Sequence, residues 1–148
     1  MRLVVQRVSS ASVAIDGKTN GSIDKGLVVL AAVHRDDDIA TIRWAADKMM
    51  KLRIFEDEDG KMNRSVADVG GGLLLISQFT LYSDARKGTR PSFIESAPPE
   101  KAKQLYDEFV SYTKTKFEGP VETGVFAAMM QVSLVNDGPV TIIIEKQP

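Results

Sequence analysis

Apolar residues gather in short runs along most of this chain and at helical spacing in two places. RLVVQRV, residues 2–8, and SVAID, residues 12–16, read as short strands, with Asp16-Gly17 a turn signal before KTNGSI. KGLVVLAAVH, residues 25–34, is apolar without alternation, as in a strand covered on both faces. Asp36-Asp37-Asp38 then predicts a helix start, because carboxylates cap free N–H groups and suit the positive end of the helix dipole. That helix would turn Ile39, Ile42, Ala46, Met49 and Met50 inward and stop near Lys51.

A strand is expected from Leu52 to Phe55, followed by an acidic turn. Gly70-Gly71-Gly72 reads as a flexible approach to another strand, LLLISQF, residues 73–79. Residues 83–99 are polar and rich in Gly and Pro, which predicts a long loop. Pro98-Pro99-Glu100 opens a second helix, since proline is tolerated in the first turn. Leu105, Phe109 and Tyr112 recur at helical spacing, with Tyr106, Val110 and Phe117 widening the stripe. Two or three strands should fill Val121 to Glu145. The pattern predicts an α/β chain: a single compact domain, residues 1–148, of mainly antiparallel or barrel-like β layers packed with two helices.

One stretch resists this simple reading. In QVSLVNDGPVTIII, residues 131–144, Asn136-Asp137-Gly138 alone would make an ordinary hairpin turn. Pro139 follows directly and removes a backbone donor where a β-branched run begins.

Composition narrows the chemistry. The chain has 148 residues, 43% hydrophobic and 26% charged, which excludes disorder as its main theme. It has no cysteine, so disulfides, thiolate zinc sites and a cysteine nucleophile are excluded, and a reducing, cytoplasmic address is the simplest expectation. The N-terminal apolar run is broken by Gln6 and Arg7, so neither a membrane span nor a signal peptide is expected. With 19 Lys+Arg against 20 Asp+Glu, the net charge of -1 offers no long-range attraction to a polyanion. Any nucleic-acid contact should therefore be local and salt-sensitive.

Few side chains offer conventional catalysis. His34 is the only histidine, so any triad must run through it; its place at a strand end beside acidic residues favours a structural role. His34 with Asp36–Asp38 is a poor metal site, because consecutive aspartates at a helix start point apart. Asp57, Asp59, Gly60 and Asn63 lack the spacing of a calcium loop and suit a hairpin turn, and Gly70–Gly72 lack the lysine of a phosphate loop. Ser77-Gln78-Phe79-Thr80-Leu81 leaves two readings open: a strand end with alternating faces, or a polar pocket whose hydroxyls and main-chain N–H groups could hold an oxyanion. In DARKGTRPSF, Arg86, Lys87 and Arg90 stand against Asp84. That is ordinary for a solvated loop and would also suit an RNA end.

Two segments shift this balance, SQFTL at 77–81 and MQVSLVNDGPVT at 130–141. Both closely resemble the signature motifs of the D-aminoacyl-tRNA deacylases, which hydrolyse the ester between a D-amino acid and its tRNA. LVVQRVSSASV, RIFEDEDGKMN, KGTRPSF and the overall length extend the resemblance over essentially the whole chain. The resemblance implies a homodimer with its active site at the interface and tRNA charged with D-amino acids as substrate; with one histidine and no thiol around which to build a site, no metal or cofactor is expected. Mischarged glycyl-tRNA is a further substrate in that reading.

It also implies a cis Gly138–Pro139 peptide that projects beside the partner subunit's Ser77, the partner subunit's Gln78 and the partner subunit's Phe79. Arg7 would steady this motif. Met130, Asn136 and Thr141 would stand with Gly138 and Pro139 on the substrate side; Ser77, Gln78, Phe79 and Thr80 would form the catalytic side. A backbone N–H near Phe79 would polarise the ester carbonyl, with the substrate's 2′-hydroxyl helping to activate water. Thr80 as a nucleophile would need a nearby base. Arg86, Lys87 and Arg90 become candidate tRNA contacts. The rival readings are a non-catalytic module for an RNA end or nucleotide, and an editing domain that removes an L-amino acid from tRNA.

Overall fold

The computed structural model describes residues 1–148 and has one six-stranded mixed sheet, a two-stranded ribbon and two helices. Its strands are β1 (Arg2–Ile15), β2 (Lys18–Ile23), β3 (Gly26–Ala32), β4 (Phe55–Glu56), β5 (Met62–Arg64), β6 (Gly72–Ser77), β7 (Val121–Thr123) and β8 (Gln131–Glu145). The helices are α1 (Ile39–Lys51) and α2 (Pro99–Lys116). The main sheet runs β2-β1-β3-β6-β7, and β8 pairs with β1. It is nearly closed: Asn20 Nδ2 on β2 donates to the Thr123 carbonyl on β7 at 2.7 Å.

The two unbroken apolar runs form neighbouring parallel strands, with Gly26 opposite Gly72 and Ala31 opposite Ser77. Both faces of these strands are covered. Leu27, Val29, Leu73 and Leu75 join the larger core under the helices, whereas Val28, Leu74 and Ile76 join Val8, Ala11, Val13 and Ile23 on the other side. Burying each such Leu or Val contributes about 1.5–3 kcal/mol, so a polar residue on either face would be costly.

The helices follow their end signals. The Asp38 side chain caps α1 by accepting the Thr41 N–H, and Lys48 and Lys51 occupy its last turn. Pro99 opens α2, with Glu100 in its first turn and Lys114 and Lys116 in its last. Of the residues expected inside α1, Ile42, Ala46 and Met49 are buried, Met50 packs partly against the core, and Ile39 is exposed.

Several boundaries differ from the sequence reading. The two short N-terminal strands are one, β1, which carries a register irregularity near Val8. KTNGSI is itself a strand, β2, and the strand expected over residues 52–55 is confined to Phe55–Glu56. The strand expected to reach Phe79 ends at Ser77. Gly71 and Gly72 are close-packed, whereas Gly70 is open: a Cβ on Gly26 would collide with the Gly72 backbone, and one on Gly71 would lie 3.0 Å from the Lys25 carbonyl. The runs on either side of Asn136–Pro139 do not pair with each other as a hairpin. Both pair with β1, as one strand interrupted by an excursion.

Candidate active site

Two clusters contain most of the residues singled out in the sequence. The first sits where β6 ends. The Gln78 N–H donates to the Ala31 carbonyl at 2.8 Å, which extends the β3 pairing one residue beyond Ser77. The chain then enters a short 3-10 turn, Phe79–Tyr82, whose Leu81 N–H donates to the Gln78 carbonyl at 3.2 Å. The N–H groups of Phe79 and Thr80 head this turn and have no acceptor within it.

Side chains reinforce that opening. The Gln78 Nε2 donates to Thr80 Oγ1 at 2.6 Å, an amide that holds the hydroxyl and cannot remove its proton. The Phe79 ring is 56% exposed and meets Phe93 edge-on, with centroids 5.3 Å apart. An antiparallel bridge between Asp84 and Ser92 folds the basic loop back beside Phe79. In that loop the Arg86 side chain makes two hydrogen bonds to Asp84, at 2.9 and 2.7 Å, and its backbone N–H a third at 3.0 Å, which together hold the Asp84 carboxyl down at about 2. Neither Lys87 nor Arg90 is in an ion pair.

Met130 also belongs to this cluster. A Cβ on Gly124 would collide with Met130 Sδ and lie 3.4 Å from Ile76 Cδ1, so glycine lets the thioether lie against the residue before Ser77. Gly124 was not singled out in the sequence, nor was Tyr106, whose hydroxyl donates to the Leu75 carbonyl at 3.0 Å. No motif marks them, because both act through tertiary contacts. An open groove of about 600 Å³ begins here, lined by Tyr106, Thr123, Gly124 and Phe126 and rimmed by Lys103 and Lys114.

The second cluster lies on the β1–β8 seam. Arg7 is buried; its Nε donates to the Asp137 carbonyl at 2.8 Å and its Nη1 to the Ile54 carbonyl at 2.7 Å. The Gly138–Pro139 peptide is cis, and both residues are exposed. Asn136 and Thr141 flank them, with Gln6 Nε2 donating to Thr141 Oγ1 at 3.3 Å.

The two clusters are far apart in one chain. From β6 across β3 and β1 to β8 is three strand spacings, and Arg7 lies four residues along β1 from Leu3, which pairs with Ala31 beside Ser77. At about 4.8 Å per strand and 3.3 Å per residue, the separation is on the order of 15–20 Å.

His34 belongs to neither cluster. It is buried, its Nδ1 accepts the Asp36 N–H at 3.2 Å and its Nε2 faces Glu95 Oε2 at 2.8 Å. These contacts are those expected of a structural histidine.

The family model for D-Tyr-tRNA(Tyr) deacylase matches residues 4–145, both clusters included. The chain belongs to this family. The D-aminoacyl-tRNA deacylase of Chlorobaculum tepidum is 60% identical over 98% of this chain and 97% of that protein. That of Thermosipho africanus is 56% identical over 99% and 98%. Among solved structures, a c-Myc DNA Unwinding Element Binding Protein shares 37% identity at a TM-score of 0.94 over the full length of both chains. A probable eukaryotic D-amino acid tRNA deacylase shares the fold, at TM-score 0.81 and 17% identity over 97% of each chain. At the level of the family, then, this deacylase is a hydrolase of aminoacyl-tRNA esters.

Proposed function

We propose that the protein hydrolyses D-aminoacyl-tRNA to free D-amino acid and tRNA, in a cytoplasmic homodimer whose site is completed across the interface. The observation that carries this reading is the separation of the clusters: Gly138–Pro139 stands exposed, on the order of 15–20 Å from its own Ser77 by strand geometry. A second copy could bring the tip of one chain to the turn of the other. β8 supports such pairing, being a long edge strand with exposed Val132, Val135 and Ile143 beside an exposed Met129.

The chemistry asks little of side chains. An aminoacyl ester is already activated, so positioning and main-chain donors can carry much of the rate. Water adds to the ester carbonyl carbon while the N–H groups of Phe79 and Thr80 receive the oxyanion. Collapse breaks the bond to the ribose 3′-oxygen, which leaves as the hydroxyl of the tRNA end. The substrate's 2′-hydroxyl assists the proton movements. Thr80 is not the nucleophile in this scheme, because Gln78 is its hydrogen-bond partner and offers no base. The scheme routes no step through a metal ion.

A rigid main-chain wall at Gly138–Pro139 would reject the L-enantiomer by occupying the space its Cα substituent needs. The test is release of amino acid from D-tyrosyl-tRNA and L-tyrosyl-tRNA by the purified protein. Release from D alone is expected. Release from L alone would indicate the L-editing reading, and tRNA binding without release would indicate a non-catalytic module. A folded Thr80→Ala protein should keep substantial turnover; complete loss would restore the nucleophile.

A further inference from the structure

Between Gln6, which pairs with Thr141, and Val8, which pairs with Asn136, β1 spends one residue while β8 spends Asp137, Gly138, Pro139 and Val140. An excursion of this kind leaves the backbone groups at its neck without ladder partners, and they must be satisfied some other way. The Asn136 carboxamide does this. Its Oδ1 accepts the Val140 N–H at 2.7 Å, and its Nδ2 donates to the Val140 carbonyl and to Thr141 Oγ1, each at 3.3 Å. The short bond from Val140 N–H fixes which end of the amide is oxygen. A side chain thus stands in for a peptide unit and closes the neck. The contacts of Nδ2 are thus to the protein's own main chain and to Thr141.

The two limbs of the excursion are held separately. Arg7 binds the entering limb at the Asp137 carbonyl and anchors it to Ile54. Asn136 binds the returning limb at Val140, which is buried while Gly138 and Pro139 are exposed. Losing either hold would free the tip to swing about the other.

We propose that Asn136 is a positioning residue whose carboxamide sets the direction of Gly138–Pro139, and that it thereby governs the choice of D over L without touching the substrate. This rests on the functional reading above. An aspartate at this position separates such a role from mere stability. It keeps the acceptor for the Val140 N–H but sets a negative charge against the Val140 carbonyl; once protonated, it donates there again. Discrimination in Asn136→Asp should therefore return as pH falls.

The experiment measures kcat and KM on D-tyrosyl- and L-tyrosyl-tRNA for the native protein, Asn136→Ala and Asn136→Asp, together with amide hydrogen exchange at Val140. Asn136→Ala is expected to lower the D-over-L ratio of kcat/KM at least tenfold, with faster exchange at Val140 and a similar KM for the D-substrate. Asn136→Asp should show the loss near pH 8 and begin to regain the ratio only as pH falls toward the ordinary aspartate range near about 4, while the native ratio stays level. An unchanged ratio in folded Asn136→Ala would overturn the proposal. So would an equal rise in KM for both substrates, which would make Asn136 a substrate ligand. If Asn136→Ala does not fold, the Asp variant decides, and a ratio that stays level down to about pH 4 overturns the proposal. A native protein that hydrolysed neither ester would instead overturn the functional reading and with it the enantiomer role, while exchange at Val140 would still report on the neck.

Discussion

A dense polar network lies at each end of the first half of strand β1, and the two hold different things. At the start, the Met1 ammonium donates to Asp37 Oδ1 and to the Lys146 carbonyl, both at 2.6 Å, while Asp37 Oδ2 accepts the His34 N–H at 2.7 Å. The Met1 and Asp37 side chains are inaccessible. Further along, Arg7 and Asn136 make bonds of similar length, but what they hold is an exposed tip. The first network satisfies its own groups and ties strand, helix approach and C-terminal segment together. The second spends equally good bonds on a feature that gives its own chain little burial. Hydrogen-bonding effort that returns no packing within the chain is what marks a working part.

If that contrast is right, damage should separate into stability and activity. The largest effect belongs to Asp37→Ala, which leaves the Met1 ammonium buried without its partner. Breaking such a pair costs about 3–5 kcal/mol. Thermal melting should fall by roughly 10 °C or more for a chain of this size, while the activity of the molecules that remain folded stays near native. Gly138→Ala should do the reverse. Gly138 has φ +147°, and an added Cβ would lie 2.7 Å from Val140 Cγ2 and 2.8 Å from Val140 N. An L-residue is strained in that conformation. We expect kcat/KM on D-tyrosyl-tRNA to drop at least tenfold with a change in stability of only about 1 kcal/mol. Crossed results, with Asp37→Ala inactive per folded molecule or Gly138→Ala fully active, would erase the distinction.

The basic loop sharpens the contrast at smaller scale. Arg86 is engaged by Asp84, whereas Lys87 and Arg90 are not in an ion pair and are exposed. Replacing both with alanine should flatten the salt dependence of tRNA binding by about 0.7–0.9 in log–log slope per lost phosphate contact. Melting should not move. An unchanged slope would remove this loop from the RNA interface.

What the sequence revealed divides along a similar line. Local signals were legible: the Asp38 cap, the proline start of α2, and the unbroken runs of β3 and β6, whose two-sided burial follows from composition alone. The SQFTL and NDGP motifs were legible because their residues are neighbours in the chain. Long-range polar pairings were not. Of the three aspartates read as a helix start, only Asp38 caps α1, and nothing in the sequence shows that Asp37 meets Met1. The crowding of Gly71 and Gly72 has no local sign, because the groups beside them, Lys25, Gly26 and Ile23, belong to other parts of the chain. Asn136 looked like a turn residue, since its bonds to Val140 exist only once β8 pairs with β1 on both sides of the excursion.

The smallest expected effect probes the buried corner from within. Burial lowers the pKa of the Met1 ammonium below the usual α-amino range, and this outweighs the opposing pull of Asp37 and Glu145; Arg2 pushes it down further. Between the lowered value and the ordinary one near pH 8, the unfolded chain therefore binds more protons than the folded one. Stability rises with pH wherever that holds. Urea midpoints taken between about pH 7 and pH 8.5, above the range in which an ordinary histidine titrates, should drift upward. In Asp37→Asn the carboxylate that pulls the pKa up is gone while burial remains, so the folded value should fall further and the rise should begin at lower pH. A native midpoint that declined over this window would mean that the ion pair outweighs burial and that the corner is held chiefly by charge. The contrast with the Gly138–Pro139 neck, which Arg7 and Asn136 hold by hydrogen bonds to main-chain atoms, would then be one of charge against geometry.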